Sequence, residues 1–178
     1  MSALLLALIA CALAGIGGRD SALLAGMAQR GAPRAGLIAV AGITTALTTA
    51  LAAWAGGEAV ALLVPDARTM LAGFALLIAG GEALLVRAPR VPAEPTHSLG
   101  ALGIVMLAQQ IADPVRLLVF AIALARHDAL GGGLGGIIGG GAALALGAGM
   151  PGLGPWPRRA AGAVLVIVGA AVALTART

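Results

Sequence analysis

Long apolar stretches with few charges are the feature that most limits what this chain can fold into. Of its 178 residues, 60% are hydrophobic and 10% are charged, whereas a soluble globular domain carries about 25% charged residues. Such a chain has too few polar groups to cover a water-exposed surface, so lipid is its expected solvent. The sequence therefore predicts an all-α, polytopic membrane protein, with residues 1–178 forming a single membrane domain and the lipid bilayer as its main partner.

Six segments are long enough to cross a bilayer as helices, which takes about 20 residues each. The first and fourth are the longest, and charges interrupt both, at Gly17–Asp20 and at Asp113-Pro114. A polar linker with three prolines, Arg87–Ser98, separates the first three segments from the last three. The segments are Ala3–Gln29, Ala35–Ala55, Thr69–Val86, Leu99–Ala125, Ala129–Met150 and Ala160–Ala176, with a loop at Pro151–Arg159.

The two halves of the chain, 1–86 and 99–178, resemble each other. Both begin with an interrupted segment, and Leu71–Leu85 aligns with Ala160–Leu174. Because each half has an odd number of spans, the second half enters the bilayer from the opposite side. The prediction is a 3+3 inverted repeat of six transmembrane helices, with helices one and four interrupted. The matched pairs are Gly73 with Gly162, Ile78 with Ile167, Gly80 with Gly169 and Leu85 with Leu174.

The distribution of arginines predicts the orientation of the chain in the membrane. Cytoplasmic loops carry an excess of positive charge, and the chain has arginine but no lysine, a composition that fits a GC-rich bacterial genome. The linker 87–98 is therefore expected in the cytoplasm, and both termini on the periplasmic side of the inner membrane. Since the arginines flank apolar segments, no nucleic-acid partner is expected. The cytoplasmic arginines would be Arg30, Arg34, Arg87, Arg90, Arg158 and Arg159, and those on the opposite side Arg68, Arg126 and Arg177.

Both interruptions are typical of a helix that ends and restarts. Asp is a favoured N-cap and Pro a favoured first helical residue, so a new helix is expected to start at Asp113. After Gly17 and Gly18, Asp20 is expected to cap a helix over Ser21–Gln29. Freed backbone groups cannot face lipid, so each break should be buried in protein or line a wet cavity. Two alternatives remain: an extramembrane turn at the first break, and a structural kink at the second in which Asp113 pairs with Arg116.

Three further features place polar or small residues inside the apolar segments. Glu82 is an intramembrane carboxylate, which is expected to face the bundle interior or, alternatively, to reach water at the interface. Thr44, Thr45, Thr48 and Thr49 form a stripe that either packs against other helices or lines a cavity. Glycines at four-residue spacing in Ala129–Met150 favour close helix packing within the bundle, with a homodimer as the alternative.

The interrupted segments resemble the Gdt family of small cation:proton exchangers, which includes the Golgi manganese/calcium exchanger and its bacterial relatives. Family members carry Glu-x-Gly-Asp-(Lys/Arg)-(Thr/Ser) in the first span and again in the fourth. Gly17 and Arg19 match the first copy, where Gly15 replaces the Glu. Asp113 matches the second copy, and Gln110 keeps the length of its Glu without the charge. Of the four acidic positions that the two motifs contain, one is retained.

The resemblance implies exchange of a divalent cation, manganese or calcium, against protons, by alternating access of two halves around a central site. The metal would be cargo, with no permanently bound cofactor. No enzymatic activity is expected, because His97 and His127 fall in loops and no nucleophile–base pair is visible. The candidate cation or proton ligands are Asp113, Asp20, Gln110 and Glu82, of which Asp113 and Asp20 are the candidate metal ligands. The expected neighbours of the site are Gly17, Gly18, Arg19, Gln109, Pro114 and Arg116.

Two alternatives keep the scaffold but change the function. Arg19 and Arg116 are expected to lie against Asp20 and Asp113 and to neutralise them, which weakens a cation site. Beside the N-termini of half-helices, these arginines suit an anionic or zwitterionic solute, so the protein could export such a solute. The loss of acidic residues also fits a non-transporting membrane protein that has lost its ion site.

Overall fold

The computed structural model describes residues 1–86, 98–111, 113–149 and 155–175. These residues form eight α-helices and one 3-10 turn at Ala59–Leu62, with no β-strand among them. Residues 87–97 of the predicted linker, which include His97, lie outside the described residues, as do Met150 at the end of the predicted fifth segment and residues 151–154 of the predicted loop. The helices are α1 (Ala3–Gly15), α2 (Arg19–Gln29), α3 (Arg34–Glu58), α4 (Pro65–Leu85), α5 (Leu99–Ile111), α6 (Pro114–Arg126), α7 (Ala129–Gly149) and α8 (Pro155–Thr175).

Four of these helices, α3, α4, α7 and α8, are long and apolar enough to cross a bilayer. The two remaining pairs, α1–α2 and α5–α6, each pass the same test when taken together, but each pair is bent at a short break, by 56° and 54° respectively. The described chain is thus all-helical, with four candidate membrane spans, or six if each bent pair is one span. The two predicted interruptions coincide with the two bends.

Several helix ends differ from the predicted segments. α3 continues through Gly56 and Gly57 to Glu58, because Gly56 packs so closely on the backbone of Phe120 that a side chain there would clash. α4 begins at Pro65 rather than Thr69, since proline is well accepted in the first turn of a helix. α8 begins at Pro155, so Arg158, which was predicted to lie in a loop, is helical.

The two breaks have different backbone causes. Gly17 has a φ of +64°, a conformation that favours glycine, and Gly18 is the N-cap residue of α2. Asp20 therefore lies in the first turn of α2, and the prediction that it caps the helix is wrong. Asp113 is the N-cap residue of α6, with Pro114 as its first residue, as predicted. The Asp113 side chain does not cap the helix, however, because its carboxylate is turned to Arg116.

Glycines on two faces of α7 let other helices come close to it. A Cβ on Gly135 or Gly139 would clash with the backbone carbonyls of Leu4 and Leu8 in α1. On another face of α7, a Cβ on Gly136 would meet side chains of α6 and α3. The glycine spacing thus serves close helix packing within the bundle, as predicted. Replacement of these glycines would push the helices apart.

Each bent pair packs beside one long helix. α3 lies along α5 and α6: Val40 contacts α5, Thr48 hydrogen-bonds to Arg116 at the start of α6, and Gly56 packs on the later part of α6. α7 lies in the same way along α1 and α2. The first break therefore lies against α7 and α8, through Gly15 and Gly17, and the second break lies against α3, through Gln110 and Arg116.

Candidate functional site

A small polar cavity of about 40 Å³ lies between the two breaks. This volume has room for roughly three water molecules. The first break contributes Asp20, the second contributes Asp113, and α7 closes the cavity with small and apolar residues. The two carboxylates singled out from the sequence therefore line one cavity, although they are 93 positions apart in the chain. Its polar and charged side chains are Arg19, Asp20, Gln109, Asp113 and Arg116.

Gln110 connects the two breaks through hydrogen bonds. Its side chain is fully buried, and its Nε2 donates to Asp20 Oδ2 at 2.7 Å and to Thr45 Oγ1 at 3.2 Å. Its Oε1 accepts from Thr48 Oγ1 at 3.0 Å. An ionised carboxylate at position 110 could not donate to Asp20, whereas an amide both donates and accepts. The neutral side chain is thus suited to this position.

Arg116 is a buried guanidinium with a partly used set of donors. The residue is 7% exposed, its Nε donates to Thr48 Oγ1 at 2.9 Å, and its Nη1 pairs with Asp113 Oδ2 at 3.2 Å. Its Nη2 is buried, and no described residue accepts a hydrogen bond from it. Because an unsatisfied buried donor is costly, Nη2 is an available donor at the edge of the cavity.

Arg19 pairs with Glu82 rather than with Asp20. Arg19 Nη2 lies 3.0 Å from Glu82 Oε1, so the expectation that Arg19 neutralises Asp20 is wrong. Arg19 is the first residue of α2, and Glu82 lies in the last turn of α4. Glu82 does not line the cavity. Its carboxylate is linked to the site through Arg19, and its backbone carbonyl accepts from Arg158 Nη2 at 3.4 Å.

Sequence reasoning missed the burial of Arg158 and did not connect Thr45 and Thr48, two members of the predicted threonine stripe, with Gln110. Arg158 is 8% exposed and packs against Gly17 beside the first break, but its place in a predicted proline-rich loop gave no sign of burial. Thr45 and Thr48 hold Gln110. They belong to the threonine stripe on α3, whose four members are all buried, and this stripe was the available signal.

The charges of the side chains that line the cavity are largely paired. The carboxylates of Asp20 and Asp113 stand against the guanidinium of Arg116, which leaves one negative charge, while Arg19 is balanced by Glu82. Among the described residues, no group of three or more His, Cys, Asp or Glu side chains is placed to hold a metal ion.

Comparison with protein-family models, curated proteins and solved structures finds no match for this chain. The fold of the described residues defines a class, a helical multi-pass membrane protein, with four to six candidate spans in that part of the chain. The resemblance of the two interrupted segments to cation:proton exchangers stays a prediction.

Proposed function

We propose that the protein is a secondary transporter that exchanges a cation against protons at a central site. One observation carries the proposal: Asp20 and Asp113, from two different bent helix pairs, line the same cavity. A carboxylate that holds a proton does not hold a cation at the same time, so shared use of these two groups couples the two flows. Carboxylates inside membrane segments typically mark ion or proton pathways.

The packing of α4 on α8 supports an inverted repeat. A Cβ on Gly169 would lie 2.9 Å from the carbonyl oxygen of Gly73, and a Cβ on Gly162 would lie 2.9 Å from that of Gly80. The sequence alignment of the two halves matches Gly73 with Gly162 and Gly80 with Gly169. If each glycine is replaced by its aligned partner, the contact between Gly169 and Gly73 becomes the contact between Gly80 and Gly162, and the reverse. A two-fold axis between antiparallel α4 and α8 gives this exchange, and such an axis relates the halves of many transporters.

The same exchange relates the bent pairs to their neighbours. α1 and α2 pack on α7, and α5 and α6 pack on α3, so each interrupted helix of one half lies against the middle helix of the other. Six spans follow if each bent pair crosses the membrane once. Rocking of one half against the other would open the central cavity to one side at a time, which is the alternating-access mechanism.

The cargo that the resemblance implies is manganese or calcium. Both ions prefer oxygen ligands, and Asp20, Asp113 and Gln109 provide carboxylate and amide oxygens at the cavity. One net negative charge and few protein ligands fit weak binding of a partly hydrated ion. Weak binding is what a transporter needs, because the cargo must leave on the other side.

A second candidate cargo is a small zwitterion, and Arg116 is the observation that favours it. An ammonium group suits Asp20, which forms no ion pair with a described residue. A carboxylate suits Arg116 Nη2, which has no acceptor among the described residues. The same scaffold would then export an anionic or zwitterionic solute.

The test is proton movement in liposomes that contain the purified protein and an internal pH-sensitive dye. Adding Mn²⁺ or Ca²⁺ outside should release protons from the lumen, and Asp20→Asn should abolish this release. Asp66→Asn is the matched control, since Asp66 is exposed in the first turn of α4 and should leave the flux unchanged. Proton flux driven by a zwitterion and not by metal ions would contradict the metal cargo and support the zwitterion as cargo. A folded protein without flux for either cargo would overturn it in favour of the non-transporting alternative.

A further inference from the structure

A second, larger cavity lies on the apolar side of the bundle, away from the site between the breaks. It has a volume of about 400 Å³ and is formed by side chains of α1, α4, α6 and α8. Most of its lining is aliphatic, with residues such as Leu6, Leu76, Ile122 and Leu165. In a bilayer this groove is open to the hydrocarbon, so a lipid chain can enter it from the side.

The polar residues of the groove are confined to one end. Apart from Thr69 in the first turns of α4 and Arg126 at the end of α6, the side chains that line it are apolar. Along α8 the lining runs from Val172 to Val164, which is about 12 Å at 1.5 Å per residue. One leaflet contributes about half of a hydrocarbon core of roughly 30 Å. The groove therefore has the depth of one leaflet, with its polar end near the headgroups.

The charged side chain that lines the polar end of the groove is that of Arg126. Arg126 is exposed, donates to the backbone carbonyl of Met1, and forms no ion pair with a described residue. The next residue, His127, hydrogen-bonds to Arg68, which brings a second guanidinium to this end. Asp128 is near in sequence, but its carboxylate accepts from the backbone N–H of Gly131 at 2.7 Å. A phosphate group at the mouth would complement the guanidinium of Arg126, whereas the guanidinium of Arg68 is already bonded to the carbonyls of Leu63 and Val60 and to His127.

From the apolar depth and the basic mouth together, we infer that the groove between α1, α4, α6 and α8 holds one anionic phospholipid, with an acyl chain in the groove and its phosphate at Arg126. Basic pockets between membrane helices bind anionic headgroups in this way. The bound lipid would fill a gap between the two halves of the bundle and so stabilise their contact on this side.

Native mass spectrometry of the full chain in detergent tests the inference, with phosphatidylglycerol and phosphatidylcholine of identical acyl chains as probes. The unaltered protein should retain phosphatidylglycerol more strongly, and Arg126→Gln should reduce this preference about fivefold, since one arginine at a membrane surface contributes about 1 kcal/mol. Arg34→Gln is the matched control, because Arg34 is an exposed arginine at the start of α3 and lies outside the groove.

Two further variants test the acyl-chain part of the site. Ala72→Leu and Ala125→Leu each add bulk to the groove lining and should reduce retention of both lipids by at least several-fold. Having two such variants keeps the test valid if one of them fails to fold. The inference is contradicted if Arg126→Gln retains the two lipids in the same ratio as the unaltered protein, or if both filled grooves bind phosphatidylglycerol normally.

Discussion

Replacement of Arg116 by methionine tests whether the buried charge pair at the cavity is as coupled as the geometry requires. Arg116→Met keeps an apolar stem of similar length but removes the guanidinium, which bonds to Thr48 and pairs with Asp113. Breaking a buried ion pair by removing one partner costs about 3–5 kcal/mol. Because the Asp113 side chain keeps 26% exposure, we expect the lower end, about 3 kcal/mol.

The coupling itself is measured by a double-mutant cycle with Asp113→Asn. Asparagine removes the charge that Arg116→Met leaves without a partner, so the double variant should be more stable than the sum of the single effects predicts. The expected coupling energy is about 1–2 kcal/mol, within the range for contacting residues. Arg34→Met is the control, since this exposed arginine at the start of α3 should change the free energy of unfolding by less than about 0.5 kcal/mol.

The assay is reversible unfolding in mixed detergent and SDS micelles, followed by far-UV circular dichroism. It gives the free energy of unfolding of each variant under one set of conditions. A cost below about 1 kcal/mol for Arg116→Met, or strict additivity in the double variant, would refute the buried pairing of Arg116 with Asp113.

Two further predictions use the same unfolding assay with matched variants. Gly139→Ala should destabilise the protein by about 1–3 kcal/mol, because the added Cβ clashes with the α1 backbone. Gly141→Ala, where the added Cβ meets open space, should be neutral or slightly stabilising. Equal effects of the two variants would contradict the close packing of α1 on α7. Thr48→Val should destabilise the protein by about 1–3 kcal/mol, because Arg116 Nε loses its acceptor. Thr44→Val loses only a local hydrogen bond to a helix carbonyl and should cost less than about 1 kcal/mol. A larger effect at Thr44 than at Thr48 would contradict this hydrogen-bond network.

Much of the fold could be predicted because it follows from local properties of the sequence. Apolar length predicts helices in lipid, and proline and glycine mark where helices end, so the breaks near Gly17 and Asp113 were visible in one dimension. Helix ends were less predictable, because close packing allows α3 to continue through Gly56 and Gly57.

The site was predictable only in part, because its pairings depend on the angle of each break. Asp20 and Asp113 were expected to meet, and they line one cavity. The partner of Arg19 could not be predicted, since Glu82 is 63 positions away in the sequence, on a helix whose position depends on packing across the bundle. The bridging role of Gln110 has the same cause: its partners lie on α2 and α3.

The central claim is that the two breaks meet at a water-accessible cavity inside the membrane, and thiol labelling tests it most directly. In a Cys11→Ala background, Gln109→Cys places a thiol at an exposed residue that lines the cavity, and Ile111→Cys places one at a 71% exposed residue of the same helix that does not line it. In sealed vesicles of both orientations, a charged and membrane-impermeant thiol reagent should modify Gln109→Cys rapidly from at least one side and Ile111→Cys slowly from both. Rapid labelling of both thiols would place the break outside the bilayer, and slow labelling of both would show that no aqueous cavity exists there.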